Sequence, residues 1–110
     1  MNATIETIPP EARAIGQRLQ EALRAEQVYL FGSHARGDAG PDSDLDFLVV
    51  VSASLKTRYE RAVEARGFVR DVFFPKDIIV LTRAEWEKAL KAPCSLSSTV
   101  LREGLALHEP

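Results

Sequence analysis

Apolar residues recur along the chain at two spacings, one typical of amphipathic helices and one typical of buried strands. From the proline pair at 9–10 to about Glu26 they recur every three or four positions, which predicts an amphipathic helix. A near-continuous apolar run from Leu45 to Val51 predicts a strand buried on both faces. The other predicted strands cover 27–31, 76–82 and 105–108, and the other predicted helices cover about 55–73, 82–91 and 95–103.

The order of these elements predicts the fold class. Helices alternate with strands, so we expect an α/β protein with a small sheet covered by helices. Residues 33–43 include two glycines and a proline, which predicts a loop with at most one helical turn. The spacing alone does not give the order of the strands in the sheet.

The helix predicted over 55–73 has a mixed composition. Its helical periodicity rests on Leu55, Tyr59, Val63 and Phe73 among other apolar residues. Basic residues interleaved with glutamates predict an ordinary solvated face. We expect Trp86, in the following helix, to be a packing residue. The basic residues are Lys56, Arg58, Arg61, Arg66 and Arg70.

Length and charge limit the classes of function. A chain of 110 residues predicts a single domain over 1–110, and the net charge of −2 gives no reason to expect direct nucleic-acid binding. No run approaches the roughly 18 apolar residues of a membrane span, so no membrane association is predicted. The single cysteine, Cys94, cannot form an intrachain disulfide, which fits a reducing cytoplasm.

Aspartates stand where apolar strands begin. Asp44 and Asp46 are two positions apart, so their side chains share one face of the strand with Cα atoms about 6.5 Å apart. Such a pair favours a hard cation with oxygen ligands, either Mg²⁺ or Mn²⁺. Asp77 opens the apolar strand 76–82. If the two strands are neighbours, three carboxylates suffice for two metal ions, and one of them can accept a proton from an attacking hydroxyl.

A simpler interpretation is that Asp42, Ser43 and Asp44 form a turn before the strand, as such residues often do. That interpretation explains Asp42. It does not explain Asp46, which lies inside the strand, or the second acidic residue at the start of an apolar strand, Asp77.

The glycine and serine that follow the strand over 27–31 complete the pattern. Gly32 allows a backbone to approach a phosphate closely, and the hydroxyl of Ser33 and the next amides can donate to its oxygens. The sequence matches neither the P-loop pattern nor the dinucleotide-binding glycine pattern.

The stretch GSHARGDAGPDSDLDFLVV resembles the signature of the DNA-polymerase-β-type nucleotidyltransferase superfamily. Its Ala-Arg-Gly and Ser-Asp-x-Asp features and the short chain resemble the minimal nucleotidyltransferase branch. Members of that branch are typically the antitoxin of a two-gene pair with a HEPN-domain toxin. FPKDIIVLT and LREGLALHE extend the resemblance to nearly the whole chain. It implies the polymerase-β-like fold, with a small mixed sheet covered by helices.

The resemblance also implies the chemistry and the site. The implied reaction is Mg²⁺-dependent transfer of AMP from ATP to a tyrosine hydroxyl of the HEPN toxin. His34 occupies a position that varies in the family and receives no catalytic role. The implied roles are triphosphate binding for Gly32 and Ser33, metal binding for Asp44 and Asp46, metal binding and proton acceptance for Asp77, and phosphate or partner contact for Arg36.

Two other functions are compatible with these residues. The chain could neutralise a toxin by binding alone, although the presence of all three acidic residues disfavours this. It could instead modify a small molecule such as an aminoglycoside. Enzymes of that kind usually carry an extra helical domain, and residues 1–110 are accounted for by the sheet and its helices.

Overall fold

Five helices surround a sheet of four strands in the computed structural model, which describes residues 2–109. The predicted α/β class is confirmed. None of the helices in this range has both the length and the apolar character needed to cross a bilayer. In chain order the elements are α1 (Pro10–Leu23), β1 (Gln27–Phe31), α2 (Ser33–Arg36), β2 (Leu45–Val51), α3 (Arg58–Phe68), β3 (Lys76–Thr82), α4 (Arg83–Leu90), α5 (Leu96–Glu103) and β4 (Leu105–His108).

The sheet is mixed, with the strand order β3-β2-β1-β4. β1 pairs antiparallel with β2 and β4, whereas β2 and β3 run parallel and are joined by the crossover through α3. β2 therefore lies inside the sheet. Its side chains from Phe47 to Val50 are buried on both faces, which explains the apolar run in the sequence.

The two faces of the sheet carry different helices. α1 and α3 cover the face that includes Phe47, whereas α4 and α5 cover part of the face that includes Leu48. On the second face the rings of Tyr29 and Trp86 stack with centroids 5.4 Å apart, so the predicted packing role of Trp86 is confirmed. Asp46 shares the strand face of Leu48, because residues two apart point to the same side.

The first helix ends earlier than the sequence predicts. α1 stops at Leu23 rather than near Glu26, because Arg24 adopts a left-handed conformation with a φ of 51°. The backbone N–H of Arg24 still donates to the carbonyl of Gln20, which satisfies one of the last helical acceptors. Arg24 and its neighbours thus form a tight connection into β1.

The third helix is also shorter than predicted. α3 ends at Phe68 rather than Phe73. Arg18 of α1 donates to the carbonyl of Phe68 at 3.0 Å and pairs with Asp71 at 2.8 Å. These contacts hold the end of the helix against α1, and the chain turns there toward β3. The sequence could not show this, because Arg18 lies 50 positions away from Phe68.

The packing face of α3 differs from the predicted one. Arg61, expected to be solvated, is buried, with a residual exposure of 8%. Its guanidinium donates to the carbonyls of Lys56 and Val80 and to both carboxylate oxygens of Glu85. A buried arginine is tolerated when its N–H groups find acceptors. The apolar residues Leu55, Tyr59, Val63 and Phe73 are exposed.

The pair of Arg61 and Glu85 joins α3 to α4 and predicts a pH-dependent stability. The hydrogen bond from Arg61 lowers the pKa of Glu85 from 4.5 to about 2. The ionised form is thus favoured in the folded state. The contribution of this ion pair to the free energy of unfolding is complete above the unfolded-state pKa of Glu85. It is lost as the pH falls from about 4.5 toward 2.

Glu85→Gln should lower the free energy of unfolding at pH 7 by about 2 kcal/mol, since the side chain is one-third exposed and water screens part of the interaction. In this variant the free energy of unfolding should also decrease less steeply below pH 4.5 than in the wild type. Urea unfolding between pH 2 and pH 7 measures both. Glu60→Gln is the matched control, because Glu60 occupies the same capping-box position in α3 but is exposed. Equal losses in the two variants would contradict this role of Arg61.

Candidate active site

Asp46 occupies the centre of the candidate site. It pairs with Phe31 at the end of β1 on one side and with Asp77 near the start of β3 on the other. Neighbouring strands are about 4.8 Å apart, and residues in register point to the same face. The two acid-bearing strands are therefore neighbours, which is the condition for Asp77 to join Asp44 and Asp46. Asp44, two positions earlier, lies at the entrance to β2 and is exposed.

Gly32 permits the close approach of β1 to Asp46. Its φ is +76°, a value that favours glycine. A Cβ placed on Gly32 would lie 2.3 Å from Oδ2 of Asp46, which is far inside van der Waals contact. The glycine predicted from the sequence is thus required both for the backbone conformation and for the space beside the carboxylate.

The Gly-Ser segment leads into the single helical turn α2, as predicted for the loop at 33–43. The carbonyl of Gly32 accepts from the amides of Ala35 and Arg36 at 3.1 and 3.0 Å. Ser33 is half-buried at the start of this turn, where the first N–H groups have no acceptor within the turn. The amide and hydroxyl groups at this end of the loop suit phosphate oxygens.

His34 connects the loop to the acidic strand. Its Nε2 lies 3.2 Å from the carbonyl oxygen of Ser43, one residue before Asp44. The hydroxyl of Ser43 in turn accepts from the amide of Gly40 at 2.9 Å. These contacts fix the loop at 33–43 against the entrance to β2, so the structure gives His34 a positioning contact that the sequence did not indicate.

The electrostatics of the site centre on Asp46. Its pKa is raised, first because partial burial removes water from the carboxylate, and then because Asp77 and Asp44 carry the same charge. His34 and Arg36 offset only part of this effect. Three carboxylates thus repel one another where β2 and β3 begin, and a cation bound there would relieve their repulsion.

Asp77 makes an ion pair that the sequence did not predict. Nη2 of Arg66, on α3, lies 3.2 Å from Oδ1 of Asp77, and both side chains are more than half exposed. Arg66 reaches Asp77 around the edge of the sheet, because β3 is an edge strand and α3 lies beside it. Among residues 2–109, no three His, Cys, Asp or Glu side chains form a ready metal-binding group in this arrangement.

The donor atoms nevertheless fit a hard divalent cation. Asp46 in β2 and Asp44 just before it offer oxygen ligands, and Mg²⁺ commonly binds one or two carboxylates together with substrate phosphates. Asp77 can join them once its carboxylate leaves Arg66. Arg36 is exposed and pairs with Asp38 at 3.3 Å, so a role in phosphate contact requires it to exchange that partner.

The comparisons with known proteins agree with this geometry. Residues 12–107 match the family model of the nucleotidyltransferase domain, so the chain belongs to that family. The family resemblance inferred from the sequence is confirmed at this level. Among curated proteins, none matches the chain significantly.

Three solved structures have similar folds. A candidate nucleotidyltransferase from Sulfolobus solfataricus is 31% identical, with a TM-score of 0.56 over 71% of this chain and 69% of that one. A toxin–antitoxin complex with AMP-PNP is 20% identical, with a TM-score of 0.55. A mutant of the toxin–antitoxin pair MntA–HpeT, in which two aspartates two positions apart are replaced by glutamate, is 18% identical, with a TM-score of 0.54. Each of the last two alignments covers 93% of this chain and 75% of the other.

Proposed function

We propose that this chain is a Mg²⁺-dependent nucleotidyltransferase that transfers AMP from ATP to a tyrosine hydroxyl of a cognate HEPN toxin and so acts as an antitoxin in the cytoplasm. The observation that carries the proposal is the position of Asp46, between Gly32, which directly follows β1, and Asp77 on β3. Family membership supports the transfer of a nucleotidyl group. The likeness in fold to toxin–antitoxin complexes, one of them with AMP-PNP, favours ATP and a toxin partner.

Each residue of the candidate site has a separate role in the proposed reaction. Gly32 and Ser33 hold the triphosphate through backbone amides and the serine hydroxyl, and Arg36 adds a positive charge to the phosphates or the partner. Asp44 and Asp46 hold Mg²⁺, with Asp77 as a further ligand. Magnesium, when bound, neutralises charge that develops on the phosphate oxygens.

In the transfer step Asp77 acts as the general base. The tyrosine oxygen attacks the α-phosphorus, the bond from that phosphorus to the bridging oxygen of the β-phosphate breaks, and pyrophosphate leaves. The hydroxyl proton passes to the carboxylate of Asp77. The spacing of the aspartates replaced in the MntA–HpeT mutant equals that of Asp44 and Asp46, which supports this pair as the metal-binding pair.

Transfer of label from ATP to the purified toxin tests the proposal. With Mg²⁺, label on the α-phosphate should appear on the toxin and label on the γ-phosphate should not. Asp44→Asn/Asp46→Asn should abolish labelling, whereas Asp42→Asn, in the turn before β2, should leave it unchanged. Toxin neutralisation by the double variant at normal expression would instead indicate inhibition by binding alone. Turnover that ignores the toxin and rises with an added aminoglycoside would indicate a small-molecule acceptor.

A further inference from the structure

A groove lies beside the candidate site, between α3 and the start of β3. It has a volume of about 460 Å³ and is lined by Val63, Arg66, Arg70, Phe74, Pro75 and Lys76. Arg66 reaches from this groove to Asp77 through the 3.2 Å ion pair. Arg66 thus links the groove to Asp77, the carboxylate proposed to accept the proton of the attacking hydroxyl.

The outward face of α3 continues the groove away from the site. Tyr59, Val63 and Arg66 follow one another at spacings of four and three, so they share one face of the helix. Tyr59 is 78% exposed and Val63 is 51% exposed, while α3 packs on the sheet through Arg61 and Ala65. Tyr59 and Val63 thus leave apolar surface uncovered on the outward face of α3. The face from Tyr59 to Arg66 extends about 10 Å.

The charges on this surface are positive. Arg66 and Arg70 lie in the groove of a chain whose net charge is −2. Arg70 forms no ion pair within residues 2–109, and Arg66 pairs only with the exposed Asp77. An occupant with a carboxylate beside Arg66 would compete with Asp77 for the guanidinium. Docking would then release the Asp77 carboxylate toward the incoming hydroxyl.

We infer that this surface, Tyr59–Val63–Arg66–Arg70 with the groove beside it, docks the acceptor protein through a segment that combines acidic and apolar side chains and presents its hydroxyl to Asp77. The inference rests on the proposed function for the role of the hydroxyl. A polypeptide fits better than RNA, because exposed Tyr59 and Val63 offer apolar contact, whereas two arginines and Lys76 supply few charges for a phosphate backbone.

Variants at Val63 and Arg70, which within the described part of the chain form no ion pair or hydrogen bond with the site aspartates, test the surface. Val63→Asp/Arg70→Glu should weaken binding of the purified toxin at least about tenfold, measured by calorimetry without nucleotide. The KM for the toxin should rise by a similar factor, with kcat at saturation little changed. The affinity of the wild type should fall with added NaCl, and that of the variant should fall less.

A matched variant on another surface controls for general effects of added negative charge. Leu101→Asp/Arg102→Glu introduces the same two acidic residues, in place of an apolar residue and an arginine, at exposed positions of α5, and it should bind the toxin like the wild type. Affinity for Mg²⁺-ATP should be equal in all three proteins. If transfer occurs but both double variants bind the toxin normally, the surface is wrong and the transferase proposal stands.

Two other outcomes distinguish the docking proposal from the transferase proposal. If no protein transfers label and only Val63→Asp/Arg70→Glu loses toxin binding, the docking surface stands and the transferase proposal fails. Addition of nucleotides to an RNA 3′ end that is lost in that same variant would overturn the inference of a protein occupant.

Discussion

Replacing Asp46 with asparagine is expected to lower the proposed Mg²⁺-dependent nucleotidyl transfer by at least about 10³-fold. The carboxylate lies between Gly32 and Asp77, so the change removes the central negative group of the site. Charge stabilisation by a bound metal contributes several kilocalories per mole, and each 1.4 kcal/mol or so corresponds to a factor of about ten in rate. Initial rates of label transfer to the toxin, compared at matched Mg²⁺ and ATP, measure the loss.

The same variant should not lose stability in the absence of metal. Asp46 is partly buried and repelled by Asp77 and Asp44, so asparagine removes an unfavourable charge from the folded protein. Thermal unfolding without Mg²⁺ should give a Tm equal to or above that of the wild type, and added Mg²⁺ with ATP should stabilise only the wild type. An unstable Asp46→Asn protein, or one that retains full transfer, would contradict the assigned role.

Replacing Gly32 with alanine is expected to damage both stability and transfer. The new Cβ would lie 2.3 Å from Oδ2 of Asp46, and the φ of +76° is unfavourable for alanine. We expect a loss of about 2–3 kcal/mol in the free energy of unfolding. Transfer should fall at least about 10²-fold, because a displacement near 1 Å at a reacting group has an effect of that size.

Gly67→Ala provides the control for the loss of a glycine. Gly67 lies within α3, and a Cβ there would meet no atom within 4 Å. This variant should gain about 0.5–1 kcal/mol, since alanine is the better helix former. Urea unfolding and label transfer compare the two variants. Normal transfer by a folded Gly32→Ala protein would show that the contact between Gly32 and Asp46 is not needed.

Much of the candidate site could be predicted from the sequence because its residues are local anomalies. A carboxylate at the start of an apolar strand is unfavourable unless something positive satisfies it, so Asp46 and Asp77 stand out without coordinates. Glycine directly after a strand marks Gly32 in the same way. The partner of Asp77 was not predictable, because Arg66 comes from a separate helix and is one of several basic residues with ordinary spacing.

The face of α3 shows where periodicity was insufficient. Apolar spacing indicated that Tyr59 and Val63 belong to an apolar stripe and that Arg61 belongs to the solvated side. The structure reverses these assignments, because Glu85 and the carbonyl of Val80 supply acceptors that allow Arg61 to be buried. Val80 is 19 positions from Arg61 in the chain, and Glu85 is 24 positions from it.

The sequence by itself determined the strands and the alternation of helices with strands, and it indicated the acidic and glycine residues of the candidate site. Each of these depends on neighbours within a few positions, where backbone geometry and solvation act directly. Only the tertiary structure decided the strand order, the ends of α1 and α3, the pairing of Arg66 with Asp77, and the exposure of Tyr59 and Val63. These depend on contacts between distant segments, and such contacts are fixed only when the whole sheet and its helices pack together.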